Sequence, residues 1–145
     1  MKTALTVPAI AVVVLVGLLT AACGNDDDNT PAPTPVGPQT EAFSGRLEVG
    51  GSSFYSFTVG ASGQVAITLA SLVPTKPGPA LSAVLDLGVG TPLGTDCNVM
   101  NGVPASPALT AQLVNTLTAA TYCTRLSDPG NLTAPVNFTV RIVHP

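Results

Sequence analysis

The chain has no tryptophan, a single histidine, three cysteines and few charged residues. Each scarcity excludes something. Without tryptophan, a flat stacking surface for sugar rings is thin. With His144 as the lone imidazole, the commonest general base near neutral pH is missing from the body of the chain. Zinc sites draw mainly on His and Cys, and one His beside two cysteines expected in a cystine supplies too few of them. His144 is the penultimate residue, and such a residue is expected to be exposed and inert. Charged side chains make up 9% of the sequence, too few to line the wet faces of helices. No basic run exists. Beyond residue 40, Arg46, Lys76, Arg125 and Arg141 stand against Glu41, Glu48, Asp86, Asp96 and Asp128. Nucleic acid is therefore not an expected partner. No Gly-x-Ser-x-Gly elbow appears, and Gly60-Ala61-Ser62-Gly63 reads as a turn. Gly88-Val89-Gly90 lacks the third glycine and the helix of a phosphate-cradling loop.

What is present divides into three parts, and 145 residues leave room for one domain. Residues 1–22 carry one early cation, Lys2, and then an uncharged apolar run centred on Val12-Val13-Val14-Leu15-Val16. This is the pattern of a secretory signal peptide. The run ends Leu19-Thr20-Ala21-Ala22-Cys23-Gly24, which resembles the lipobox of bacterial lipoproteins. The resemblance implies a diacylglyceryl group on Cys23 and cleavage just before it, so that the lipid on Cys23 holds the protein to a membrane. Gly24 after the lipidated cysteine implies the outer membrane where a cell has two. An uncleaved anchor or ordinary secretion are the alternatives, since about 20 apolar residues just span a bilayer. All three place the rest of the chain outside the cytoplasm. Residues 23–40 are polar, acidic and proline-rich, with almost nothing to bury, and read as a disordered tether. Its Pro-Ala-Pro-Thr-Pro portion favours a semi-rigid extended spacer. Asp26-Asp27-Asp28 lacks the spaced ligands and tight turn of a calcium loop, and reads as solvated spacer.

Residues 41–145 change period to two. Tyr55-Ser56-Phe57-Thr58-Val59, Val65-Ala66-Ile67-Thr68-Leu69 and Val136-Asn137-Phe138-Thr139-Val140-Arg141-Ile142 each alternate large apolar with polar or small residues. One face suits a core and the other water. The spacing places Tyr55, Phe57, Tyr122 and Phe138 in the core. Leu81 to Val89 reads as a more buried strand. Turn signals fall at Gly50-Gly51-Ser52, Gly60 to Gly63, Pro74 to Pro79, Gly90 to Gly94 and Asp128-Pro129-Gly130-Asn131. The fold class is all-β: an antiparallel sandwich or jelly roll of about eight short strands. The two glycosylation sequons, at Asn131 and Asn137, read as accidental.

The order of these segments resembles the bacterial pre-peptidase C-terminal domain. The residues that carry it are Phe43-Ser44-Gly45-Arg46-Leu47, Phe54 to Val59, Gly63 to Leu69, Ala120-Thr121-Tyr122-Cys123-Thr124-Arg125 and Phe138 to Ile142. Ala120 stands where the family usually has Gly, and its Asp-rich middle strand is reduced to Asp86. The resemblance implies a β-sandwich that binds or spaces and does not catalyse. Some relatives bind calcium or insoluble polymers. A calcium site here would require Asp86, Asp96 or Asp128 to converge with carbonyl oxygens.

With Cys23 lipidated and the compartment oxidising, Cys97 and Cys123 are expected to form a disulfide. The expected function is a lipid-anchored, non-catalytic binding or structural domain of the cell envelope, monomeric, with no cofactor. Its ligand would be an envelope protein, a polymer or an ion. The binding surface is expected in loops at one end: Pro74 to Pro79, Thr91 to Pro107 and Asp128 to Pro135. The alternative is a small envelope hydrolase using carboxylates, which needs two of them across a cleft.

Overall fold

The computed structural model describes residues 37–78 and 81–145. Cys23, the signal segment and the tether as far as Val36 lie outside the described residues. Eight strands follow in order: β1 Gln39–Leu47, β2 Ser52–Val59, β3 Gly63–Pro74, β4 Leu85–Leu93, β5 Asp96–Ala105, β6 Leu113–Leu117, β7 Ala120–Ser127 and β8 Val136–His144. They form two four-stranded sheets, ordered β1-β8-β3-β6 and β2-β7-β4-β5. Every pairing is antiparallel. β4 pairs with β5, β3 with β6, β2 with β7 and β1 with β8, so the chain is a nested hairpin rolled into two layers. That is a jelly roll, one of the sandwich solutions for eight antiparallel strands.

Alternation explains the layers. In β8, Val136, Phe138, Val140, Ile142 and His144 are buried, and Asn137 and Arg141 between them are exposed. In β4, Leu85, Leu87 and Val89 face the core. These residues meet Leu47, Phe57, Val59, Ile67, Leu69, Leu126 and others in one apolar cluster between the sheets.

β3 departs from strict alternation. Val65, Ile67 and Leu69 point inward, but the next buried side chain is Leu72, because a bulge at Ala70 inserts one residue into the ladder with β8. β6 pairs β3 only as far as Ile67. The loop before β6 takes over there. Ala108 N–H donates to the Leu69 carbonyl, and the Gln112 amide accepts from Leu69 N–H at 2.9 Å and donates to the Ser106 carbonyl at 2.7 Å. A side-chain amide thus satisfies backbone groups that the ladder leaves open.

Several sequence expectations need correction. β1 begins at Gln39, inside the stretch assigned to the tether, because β8 runs on to His144 and offers it a partner: Gln39 pairs with His144. The fourth strand is displaced to Leu85–Leu93, so the expected turn at Gly90 to Gly94 shrinks to a tight one at Gly94, whose φ of 58° suits glycine. Most of Thr91 to Pro107, expected as a loop, is strand. Tyr55 lies at the rim rather than in the core, 38% exposed, with its ring stacked on Phe43 at 4.6 Å.

Candidate functional site

Cys97 on β5 and Cys123 on β7 form a disulfide with Cα atoms 5.9 Å apart. β4 lies between these two strands. The bond is possible because β5 bends across β4. A bulge beside Gly90 sets Val89 opposite Asn101 and Gly90 opposite Val99, leaving Met100 extra. The bend is close: a Cβ on Gly90 would stand 1.9 Å from the Asn98 carbonyl oxygen. Only glycine fits beneath the crossing segment.

The same bend makes a groove on the outer face of the β2-β7-β4-β5 sheet. It has a volume of about 380 Å³ and is lined by Asp86 and Gly88 of β4, Arg125 and Ser127 of β7, and Val99, Gly102 and Pro104 of β5, among others. The register explains the grouping. Gly88 sits opposite both Arg125 and Gly102, and Asp86 sits opposite both Ser127 and Pro104. Two glycines side by side leave a depression where side chains would otherwise stand. Val99 folds over Gly88, where a Cβ would meet its methyl at 2.7 Å.

Two charged groups in this groove are uncommitted. Glu41 pairs with His144, Glu48 with Arg46, Asp96 accepts from Cys97 N–H, and Asp128 accepts from four backbone N–H groups. Among the described residues, Asp86 is the one carboxylate that makes no hydrogen bond or ion pair. Arg141 donates to the Leu109 carbonyl and Arg46 to Glu48. Arg125 makes no such bond, and its Nε is buried without a partner. A buried N–H left unpaired is unfavourable by about 1–3 kcal/mol, a penalty relieved when the side chain turns to meet an acceptor.

His144 is not exposed. It is 1% accessible and ends the inward face of β8, packed 5.6 Å from the Phe57 ring. The alternation of β8 carries one pair further than its sequence position suggests. Nε2 lies 3.0 Å from Glu41 Oε1, and Nδ1 lies 3.1 Å from the Pro145 carbonyl oxygen. Both nitrogens are occupied, so the imidazole has none free for a substrate.

The three aspartates considered for calcium do not converge. Asp86 lies in the groove, Asp96 at the start of β5, and Asp128 in the loop between β7 and β8. No cluster of three metal-ligating side chains occurs among the described residues. Two of the expected binding loops do meet at one end of the sandwich, where Thr75 N–H and Oγ1 donate to the Pro135 carbonyl. The groove itself lies on a sheet face, where loop reasoning does not look. The available signal was glycine at alternate positions, Gly88 and Gly90, between the inward Leu85, Leu87 and Val89.

Asp128 is the knot of the loop end. Oδ2 accepts from Gly50 N–H at 2.8 Å, and Oδ1 accepts from Gly130, Asn131 and Leu132 at 3.0, 2.7 and 3.1 Å. Burial acts to raise its pKa; the N–H groups of Gly50, Asn131, Leu132 and Gly130 act against it and prevail, holding the carboxyl below 3.8. A depressed folded pKa gives stability that is present above the unfolded value and lost as pH falls through the folded one. Asp128→Asn is therefore expected to melt below the wild type at neutral pH, with the gap narrowing as pH drops below 3.8. A gap independent of pH in thermal melts would show that the charge plays no part.

No family model matches the chain, and no curated protein matches it.

Proposed function

We propose that the chain is a lipid-anchored, non-catalytic binding domain of the cell envelope, attached to the membrane through Cys23, with the groove beside Arg125 as its ligand site. The carrying observation is the pairing of needs in that groove: the one described arginine and the one described carboxylate without partners line the same depression. Other chemistry-bearing groups are occupied. The imidazole is buried between two oxygens, and two thiols are joined as a disulfide. The groove presents one carboxylate, Asp86, whereas glycoside hydrolysis uses two across a cleft. The jelly-roll frame agrees with the sandwich implied by the likeness to pre-peptidase C-terminal domains, whose members act as appendages. The lipobox-like Thr20-Ala21-Ala22-Cys23 supports the anchor and an envelope location.

Two measurements test this reading. Labelled palmitate is expected to enter the wild-type protein and not Cys23→Ser; label retained by the variant overturns the anchor. The full chain in detergent is expected to show no turnover on panels of ester, peptide and glycoside substrates. Saturable turnover abolished by Asp86→Asn, with folding intact, would replace the binding reading with a hydrolase.

A further inference from the structure

We infer that the groove binds a small zwitterion of the α-amino acid type with an aliphatic side chain, its carboxylate on Arg125 and its ammonium on Asp86. The inference deepens the binding reading above and rests on it.

Arg125 and Asp86 are diagonal neighbours. Arg125 lies opposite Gly88, and Asp86 is two residues along the same strand from Gly88. Diagonal pairs across a sheet stand roughly 7–8 Å apart at Cα, a distance that Arg and Asp side chains can close. Here they do not: no ion pair joins them, and both line one depression. Two opposite charges held apart on one face match a ligand that carries both signs in reverse order.

The guanidinium favours a planar oxyanion, because its fork donates two parallel hydrogen bonds to a carboxylate. Nε is one tine of that fork; it is buried without a partner here and meets a carboxylate once the side chain turns toward the groove. Asp86 is exposed and accepts only, so it takes a cation or another donor. Ser127, opposite Asp86, adds a hydroxyl beside the ammonium position. Val99 and Pro104 form an apolar wall on the β5 side. Gly88 and Gly102 add no side chains of their own to the floor, and the Val99 methyls pack over Gly88 to make that floor apolar. The volume of about 380 Å³ is at the small end for ligand sites, which commonly span 300–1,000 Å³. A groove of that size has room for an amino acid.

The test uses three probes that differ by one charge: L-leucine, 4-methylpentanoate, which lacks the ammonium, and 3-methylbutylamine, which lacks the carboxylate. Binding to the full chain in detergent is followed by calorimetry. L-leucine is expected to bind saturably. Each of the other probes is expected to bind more weakly, by roughly tenfold to a hundredfold, as befits loss of one charge-assisted contact. Arg125→Gln is expected to lower leucine affinity by a similar factor. Arg125→Lys, which keeps the charge but loses the fork, is expected to fall between. Asp86→Asn, an exposed change, is expected to weaken leucine and leave 4-methylpentanoate unaffected.

No saturable leucine binding at millimolar concentration overturns the inference. So does equal binding of leucine and 4-methylpentanoate, or leucine affinity unchanged in both Arg125→Gln and Asp86→Asn. These failures leave the non-catalytic, lipid-anchored reading itself standing, since that reading falls to turnover or to palmitate label retained by Cys23→Ser.

Discussion

Reduction of the Cys97–Cys123 bond is expected to lower stability by about 3.5 kcal/mol. The chain-entropy model relates that figure to the size of the closed loop, with cysteines separated by 26 residues. Small domains are stable by only about 5–15 kcal/mol, so the loss is a large fraction of the total. In thermal terms it corresponds to a fall of roughly 15–25 °C for a domain near 100 residues. The effect has a place as well as a size. β5 is an edge strand, bonded through its ladder to β4 alone and tied to β7 by the disulfide. Without the tie, β5 is expected to exchange its amide hydrogens first and to carry away the groove wall at Val99 and Pro104. Equilibrium unfolding with and without reductant, together with Cys97→Ser/Cys123→Ser, measures this. Coincident unfolding midpoints for oxidised and reduced protein would contradict it.

The second large effect lies at Phe138. Its ring is fully buried in the centre of the β1-β8-β3-β6 sheet and covers Gly45 on β1, directly opposite in the register. A Cβ on Gly45 would lie 2.9 Å from the ring. Phe43 meets the same ring edge-on, with centroids 5.9 Å apart and planes at 83°, and Tyr55 stacks on Phe43 in turn. An aromatic over a cross-strand glycine is a recurrent way to repair the packing that glycine leaves out. Phe138→Ala removes the ring from a place where Gly45 has nothing to offer, so the void stays. The expected loss is about 3–5 kcal/mol, the range for truncating a buried phenylalanine. A double-mutant cycle makes the mechanism explicit. Gly45→Ala alone meets the ring and destabilises; in the Phe138→Ala background it has room, and its penalty is expected to vanish. Additive penalties, read from denaturant midpoints, would mean that the two residues do not share that space.

How far these features were legible in the sequence depends on the range over which each cause acts. Alternation is local: neighbouring side chains in a strand point to opposite faces, so the all-β class of fold, the inward Phe57, Val65, Ile67 and Phe138, and most turns could be read directly. The cystine could be read too, because the oxidising compartment and the exclusion of Cys23 left one pair. His144 could have been read by carrying the β8 alternation two residues further, but its position near the end of the chain argued for exposure. What pairs with what is a different matter. That β1 reaches back to Gln39 depends on the length of β8, whose His144 pairs with it from more than a hundred residues away in the chain. The bulges at Ala70 and beside Gly90 depend on how sheet neighbours fit, which no single strand reports. The groove is the extreme case. Arg125, Asp86 and Ser127 become neighbours only because β7 and β4 pair in one register, and Gly88 beside Gly102 becomes a depression only because β5 folds across β4. The sequence alone determined which residues prefer a core and which prefer water. Only the tertiary structure decided which polar groups were left without partners, because hydrogen-bond satisfaction is a property of packed strands and not of any one of them.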